Sequence, residues 1–170
     1  MRIPIVNESD EIIGYEDRKD RIPGSITRIT SLWVGNEKGE VLLAQRAFTK
    51  KDSPGVWGPA AAGSVEEGET YDSNAVKEAE EEIGLKGAEL IPWQKSRRTT
   101  SHAYFVQSYV AFIKSDYPLV KQDDEVEAIK WFSEEELLKA LDEKPEMFLG
   151  SVRQRAEDFF NYPNPLLANQ

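Results

Sequence analysis

Residues Gly63 to Leu85 read GSVEEGETYDSNAVKEAEEEIGL, and the fold and chemistry of the chain turn on them. Between Thr70 and Gly84 the apolar residues Ala75, Val76, Ala79 and Ile83 recur at helical spacing, which predicts a helix capped by Thr70 and ended by Gly84. At about 100° per residue, Glu78, Glu81 and Glu82 fall within an arc of roughly 100°, centred about 125° from the apolar stripe. Three carboxylates therefore share one face that the pattern leaves exposed. Like charges at i, i+3 and i, i+4 destabilise a helix, so helix stability does not account for them. Two readings stand. One is a solvated acidic face in an acidic protein. The other is a half-site for a hard divalent cation such as Mg²⁺ or Mn²⁺, completed by water and a substrate phosphate.

The same stretch resembles a known family. Gly63, Glu69, Glu78, Glu81, Glu82, Gly84 and Leu85 match the Nudix box, G-x5-E-x7-R-E-U-x-E-E-x-G-U with U apolar, which marks hydrolases that cut a diphosphate joined to another group. The resemblance implies a metal held by Glu78, Glu81, Glu82 and the Gly63 carbonyl, with Glu69 structural. One departure falls inside the box, where Lys77 stands at the family's arginine. A lysine is a flexible point charge rather than a planar fork, so Lys77 is expected to pair Glu81 at i+4 and to orient it less firmly. Ahead of the box, Ala62 replaces the first glycine of a usual pair.

Outward from the box, strands are expected at Ile3–Val6 and Ile12–Tyr15, forming a hairpin within an N-terminal extension of residues 1–24. That extension, VNESDEIIGYEDR, resembles the one on the isopentenyl-diphosphate-isomerase-like branch of the family. Further strands are expected at Ile26–Val34 paired with Val41–Arg46, at Ala88–Lys95, at Ala103–Ile113 and at Val126–Phe132. Helices are expected at Glu134–Leu141, capped by Ser133, and at Ser151–Phe160, followed by an extended tail. Strands leading into a glutamate-rich helix, then more strands and terminal helices, suit an α+β protein. The resemblance makes it an α/β/α sandwich with a mixed sheet, as one domain over residues 1–170, with the box at 63–85 and the C-terminal helix and tail at 150–170.

Arg46, at a strand end, is either a surface arginine or, as the resemblance implies, a phosphate ligand. Arg97 and Arg98, placed between strands, either grip substrate or form a solvated pair. The resemblance also implies an extra carboxylate on the loop before Val126, which makes Glu125, ahead of Asp124 and Glu127, either a candidate accessory ligand or general base or part of an ordinary acidic loop, with Glu81 the alternative base. Trp33, Trp57, Tyr104, Phe105 and Trp131 are candidates for stacking on a nucleobase or for the core.

Composition narrows the partners. The 170 residues carry 31 acidic against 21 basic side chains, a net charge of -10, which disfavours long nucleic acid while leaving small phosphorylated, nucleotide-derived substrates open. There is no cysteine, which excludes disulfides and thiolate chemistry and suits a cytoplasmic protein. No apolar run reaches membrane-spanning length. Leu166 and Leu167 either pack on the domain or meet a second copy in a homodimer. The isomerase of the resembling branch uses a cysteine and several histidines. With no cysteine and His102 alone, that chemistry is poorly supplied.

Overall fold

The computed structural model describes residues 1–167. Its described elements run, in chain order, β1 (Arg2–Val6), β2 (Ile12–Asp17), β3 (Ile26–Gly35), β4 (Val41–Arg46), β5 (Trp57–Pro59), β6 (Ala61–Ser64), α1 (Tyr71–Ile83), β7 (Ile91–Thr99), β8 (Ala103–Phe112), β9 (Val126–Phe132), α2 (Glu134–Glu143), a single 3-10 turn (Pro145–Met147) and α3 (Val152–Phe160). All nine strands join one mixed sheet.

β3 is its hub. It runs parallel to β8 along its whole length, from Ile26 opposite Ala103 to Gly35 opposite Phe112. It also pairs antiparallel with β1, β4 and β6. The contact with β4 covers only Val34–Leu42 and Gly35–Val41, after which β4 parts from β3 and carries β5 and β9 instead. The two strands are thus neighbours at one end only, a narrower pairing than their sequence spacing predicts.

Strand periodicity divides the core. On β3 and β4, Leu32, Val34 and Leu42 point to one face and pack with Ala75, Ala79 and Ile83 of α1. The alternating residues Trp33, Val41 and Leu43 point to the other face, against Leu137 and Leu141 of α2 and Val152, Ala156 and Phe159 of α3. A period of two on the strands and of 3.6 on the helices therefore builds the expected α/β/α layers. Trp33 is buried in this core, with part of its side chain on the wall of a cavity described below.

Four expectations need correction. Val76 is exposed and Asn74 is buried in its place, because the buried side of α1 meets both core and the polar interior of β6. β7 begins at Ile91 and ends at Thr99, so Arg97 and Arg98 lie on a strand and not between strands. No strand is expected between Arg46 and the box helix, yet two short strands, β5 and β6, form there from a stretch rich in glycine and alanine. The tail is not extended as far as it is described. Residues 165–167 turn, and the Asn164 side chain donates to the Asn36 carbonyl at 2.9 Å, tying the tail to the β3–β4 turn. The last three residues of the expected tail lie outside the described residues.

The N-terminal hairpin is fastened by Asp10, whose carboxylate accepts from Arg28 Nε at 2.7 Å, from the Tyr71 hydroxyl at 3.0 Å and from Lys95. Burial pushes this carboxyl up, but the hydrogen bonds from Lys95 and Arg28 outweigh it and hold it below its usual range. Asp10→Asn is expected to cost about 3 kcal/mol by stranding Arg28, or ~6–12 °C in Tm. Because the folded pKa is depressed, this contribution is present above pH 3.8 and lost as pH falls through the lower folded value. Thermal melts of both proteins from pH 7 to pH 2.5 check it. The gap between them should close only below pH 3.8.

Candidate active site

The site is built from α1 upward. Thr70 caps the helix by accepting from the Ser73 amide at 3.1 Å, while the Thr70 amide donates to the Ser73 hydroxyl at 2.9 Å. Gly84 ends it in the left-handed region, at φ 67°, with its amide on the Glu80 carbonyl and the Leu85 amide on that of Ala79. The chain beyond then turns back. Val120 and Gln122 donate their amides to the carbonyls of Ile83 and Glu82, and the Ala47 amide donates to the Glu125 carbonyl at 3.0 Å. These backbone bonds carry Glu125 to the C-terminal end of α1, 43 positions after Glu82, a juxtaposition that the sequence only hinted at.

Glu78, Glu81, Glu82 and Glu125 consequently line one polar cavity of about 180 Å³, with Arg18, Arg46, Lys50 and Gly63 also on its wall. Glu82 is not on an exposed face. It reaches under β6 and accepts from the Ala62 amide at 3.0 Å. Burial, reinforced by the charges of Glu78 and Glu125, pushes its carboxyl up to about 8 against the pull of that amide. Burial likewise raises Glu78, with Lys77 opposing and Glu81 adding to the rise. Glu81 is exposed, and Glu125 pairs Lys50 at 2.5 Å.

Gly63 leaves room for the end of the Glu78 side chain. A Cβ there would stand 2.2 Å from Glu78 Cδ, so the helix carboxylate presses on the bare strand backbone. Asn74, absent from the sequence reading, positions the same group. Its oxygen accepts from Thr30 Oγ1 at 2.5 Å, and its amide donates to the Ser64 carbonyl, to Glu69 and, at 3.3 Å, to Glu78. Its only signal in the sequence was a place one turn before Glu78 on the helix. Glu69 also accepts from the Glu66 amide at 2.9 Å, in keeping with a structural part.

Lys77 does not pair Glu81. Its ammonium sits between Glu66 at 2.6 Å and Glu69 at 2.7 Å, with Glu78 at 3.8 Å. The cause is direction. The side chain leans back towards the N-terminal loop, where two carboxylates converge, rather than along the helix to i+4. Lys77→Arg is expected to retain activity or raise it, since a guanidinium fork can span both loop carboxylates. A severalfold loss with melting unchanged, measured in a steady-state assay, would give the ammonium a part that arginine cannot fill.

The arginines separate. Arg46 lines the polar cavity and is steadied by its Nε bond to the Asp52 carbonyl at 2.9 Å. Arg98 faces an adjoining, more apolar cavity with Tyr104. Arg97 points to the opposite side of β7, where Glu8 of the N-terminal hairpin takes it at 3.1 Å, so it does not line the cleft. Alternation along a strand parts two neighbours that a loop would have kept together.

Whether the site suits a metal can be judged from its donors. They are all oxygen, and burial, to which the neighbouring carboxylates add, raises Glu78 and Glu82. Among the described residues no group of three carboxylate or imidazole side chains stands close enough to enclose an ion unaided. That is the donor set of a hard divalent cation that keeps waters and takes remaining ligands from a phosphate.

The family model of the NUDIX domain matches residues 26–150. The chain belongs to the Nudix family. Among curated relatives, the uncharacterized Nudix hydrolase YfcD of Salmonella typhi is 30% identical over 142 residues, covering 83% of this chain and 77% of that protein. An isopentenyl-diphosphate Delta-isomerase of an Enterobacter species is 28% identical over 153 residues, covering 85% and 82%. Among solved structures, DR0079 from Deinococcus radiodurans superposes with a TM-score of 0.78 at 22% identity, covering 93% of this chain and 98% of that one. The Nudix fold read from the box is thus the fold of this chain. Membership of the family implies a hydrolase of acid anhydrides of the pyrophosphate kind.

Proposed function

We propose that this Nudix protein hydrolyses a diphosphate linkage in a small nucleotide-derived substrate with the help of Mg²⁺ or Mn²⁺. The observation that carries the reading is the convergence of Glu78, Glu81, Glu82 and Glu125 on one cavity with Arg18, Arg46 and Lys50 at its wall. Glu78, Glu81, Glu82 and the Gly63 carbonyl would hold the cation. When bound, that cation neutralises charge on the phosphate oxygens and lowers the pKa of a water.

The chain's own residues do the rest. Arg46 and Lys50 supply positive charge for the diphosphate on the side away from the helix carboxylates. Glu81, exposed and in no ion pair among the described residues, and Glu125, on the loop opposite, are the two carboxylates that would take a proton from the attacking water. Lys50 holds Glu125 at 2.5 Å and must yield it, or share it, for Glu125 to act. Asn74 and Lys77 position Glu78 without facing substrate.

Isomerisation of isopentenyl diphosphate is the reading that the similarity to the Enterobacter isomerase raises. It needs a proton donor and acceptor on opposite faces of an alkene, and this chain has no cysteine to serve. Its histidine, His102, bonds Ser101 and lines neither cavity described above. Two assays divide the classes. Phosphate or nucleoside monophosphate release from a panel of nucleoside diphosphates, triphosphates, nucleotide sugars and dinucleotides is expected to require Mg²⁺ or Mn²⁺. Incubation with isopentenyl diphosphate in D₂O, followed by NMR, is expected to show no enzyme-dependent exchange. Exchange without hydrolysis of any panel member would overturn the hydrolase reading.

A further inference from the structure

Beside the carboxylate cavity lies a second one of about 240 Å³, and the two share Arg18, Arg46 and the backbone from Ala62 to Ser64. Their charge is opposite. Among the described residues four arginines, Arg18, Arg46, Arg98 and Arg155, line the second cavity, and no carboxylate does. Its floor is the core-facing side of β3 and β8, where Tyr104 and Val106 provide apolar surface. It is therefore a half-apolar chamber opening onto the place where the diphosphate would sit, with positive charge in excess of what one diphosphate there requires.

The deeper arginines make the case. Arg155 is 8% exposed although it stands on α3 among Val152, Ala156 and Phe159. Its nearest carboxylate, Asp158, is 4.0 Å away. Arg155 Nη2 and Arg98 Nε instead both donate to one neutral oxygen, the Ser96 hydroxyl, at 3.0 and 3.3 Å. Among the described residues Arg98 forms no ion pair. Two guanidinium groups brought onto a single serine, one of them buried, are costly unless an anion joins them. Nothing in the core packing of α3 calls for a charge at position 155, since its buried neighbours are apolar.

Resting on the proposed hydrolysis at the adjoining cavity, we propose that Arg98 and Arg155 bind an anionic substituent on the organic end of the substrate. The substrate class is then a diphosphate whose leaving or retained group carries a further phosphate or carboxylate. Tyr104 and Val106 would lie along the apolar part between the two charged ends.

The test is arranged so that binding and turnover are read separately. Calorimetry without divalent metal compares nucleoside 3′,5′-bisphosphates with the matching 5′-monophosphates, and six-carbon alkyl phosphates ending in carboxylate with those ending in methyl. The first pair offers a phosphate and the second a carboxylate. At least one anion-bearing member is expected to bind tenfold or more tightly than its partner, in line with charge-assisted, bidentate contacts. In Arg98→Gln and in Arg155→Met that ratio should fall to within about twofold, with melting curves and circular dichroism recorded to show that each variant is folded. If Arg155→Met does not fold, Arg98→Gln alone decides. Equal binding within every pair in the wild type, or a preference that survives in a folded variant, would overturn the proposal. Preferential binding that these variants abolish, without metal-dependent hydrolysis of the corresponding diphosphates, would leave the anion site standing and remove the hydrolase reading instead.

Discussion

Replacing Glu82 with glutamine is expected to lower metal-dependent diphosphate hydrolysis by a hundred- to a thousandfold, about the cost of removing one principal charge-stabilising group from a catalytic site. The fold should survive, because the glutamine oxygen can still accept from the Ala62 amide that Glu82 now takes at 3.0 Å. Its effect on stability carries the sign of the pKa shift. A carboxyl raised to about 8 by burial binds its proton more tightly folded than unfolded. In the metal-free wild type, its contribution is therefore fully present below pH 4.5 and is lost as pH rises towards 8. Glu82→Gln removes that slope, so the metal-free variant should melt higher than the wild type at pH 8 and at about the same temperature at pH 4.5. Adding Mg²⁺ should raise the wild-type Tm and move the variant less. Wild-type turnover in the variant at saturating Mg²⁺ would sink the assignment of Glu82 as a ligand.

What the sequence disclosed follows from how far each signal reaches along the chain. The helix, its caps and the three clustered glutamates lie within one 23-residue stretch, so period and spacing alone place them. The layered core was legible for a similar reason, since alternation on β3 and β4 needs only neighbouring residues. Contacts between distant segments were not legible. Glu125 enters the site only because the amides of Val120 and Gln122 close on the end of α1, and Arg155 because α3 packs beside β7. Direction was the other blind spot. Helical spacing allowed Lys77 to meet Glu81, but its side chain leans to Glu66 and Glu69. Two adjacent arginines read as a pair until a strand turned Arg97 towards Glu8 and Arg98 towards the cleft.

The box glycine offers a test of positioning as distinct from chemistry. Gly63→Ala is expected to lower hydrolysis about a hundredfold but stability by only about 1 kcal/mol or ~2–4 °C, since the group in its way is the end of a flexible side chain, and alanine adds no charge and removes no ligand. Its φ is not in the left-handed region, so the backbone tolerates a side chain and the whole effect comes from space. The added methyl would stand 2.2 Å from Glu78 Cδ and 2.3 Å from Glu78 Oε1. Glu78 must then swing away, breaking its bond from Asn74, because β6 is pinned to β3 from Ile29 to Leu32 and cannot retreat. A double-mutant cycle isolates this contact. In a Glu78→Ala background the obstructing carboxylate is gone, so adding Gly63→Ala should cost almost no further stability and almost no further activity. Equal losses of Tm in both backgrounds would mean that the glycine serves the strand backbone rather than Glu78, and the tight packing of helix carboxylate on strand would not be what positions the site.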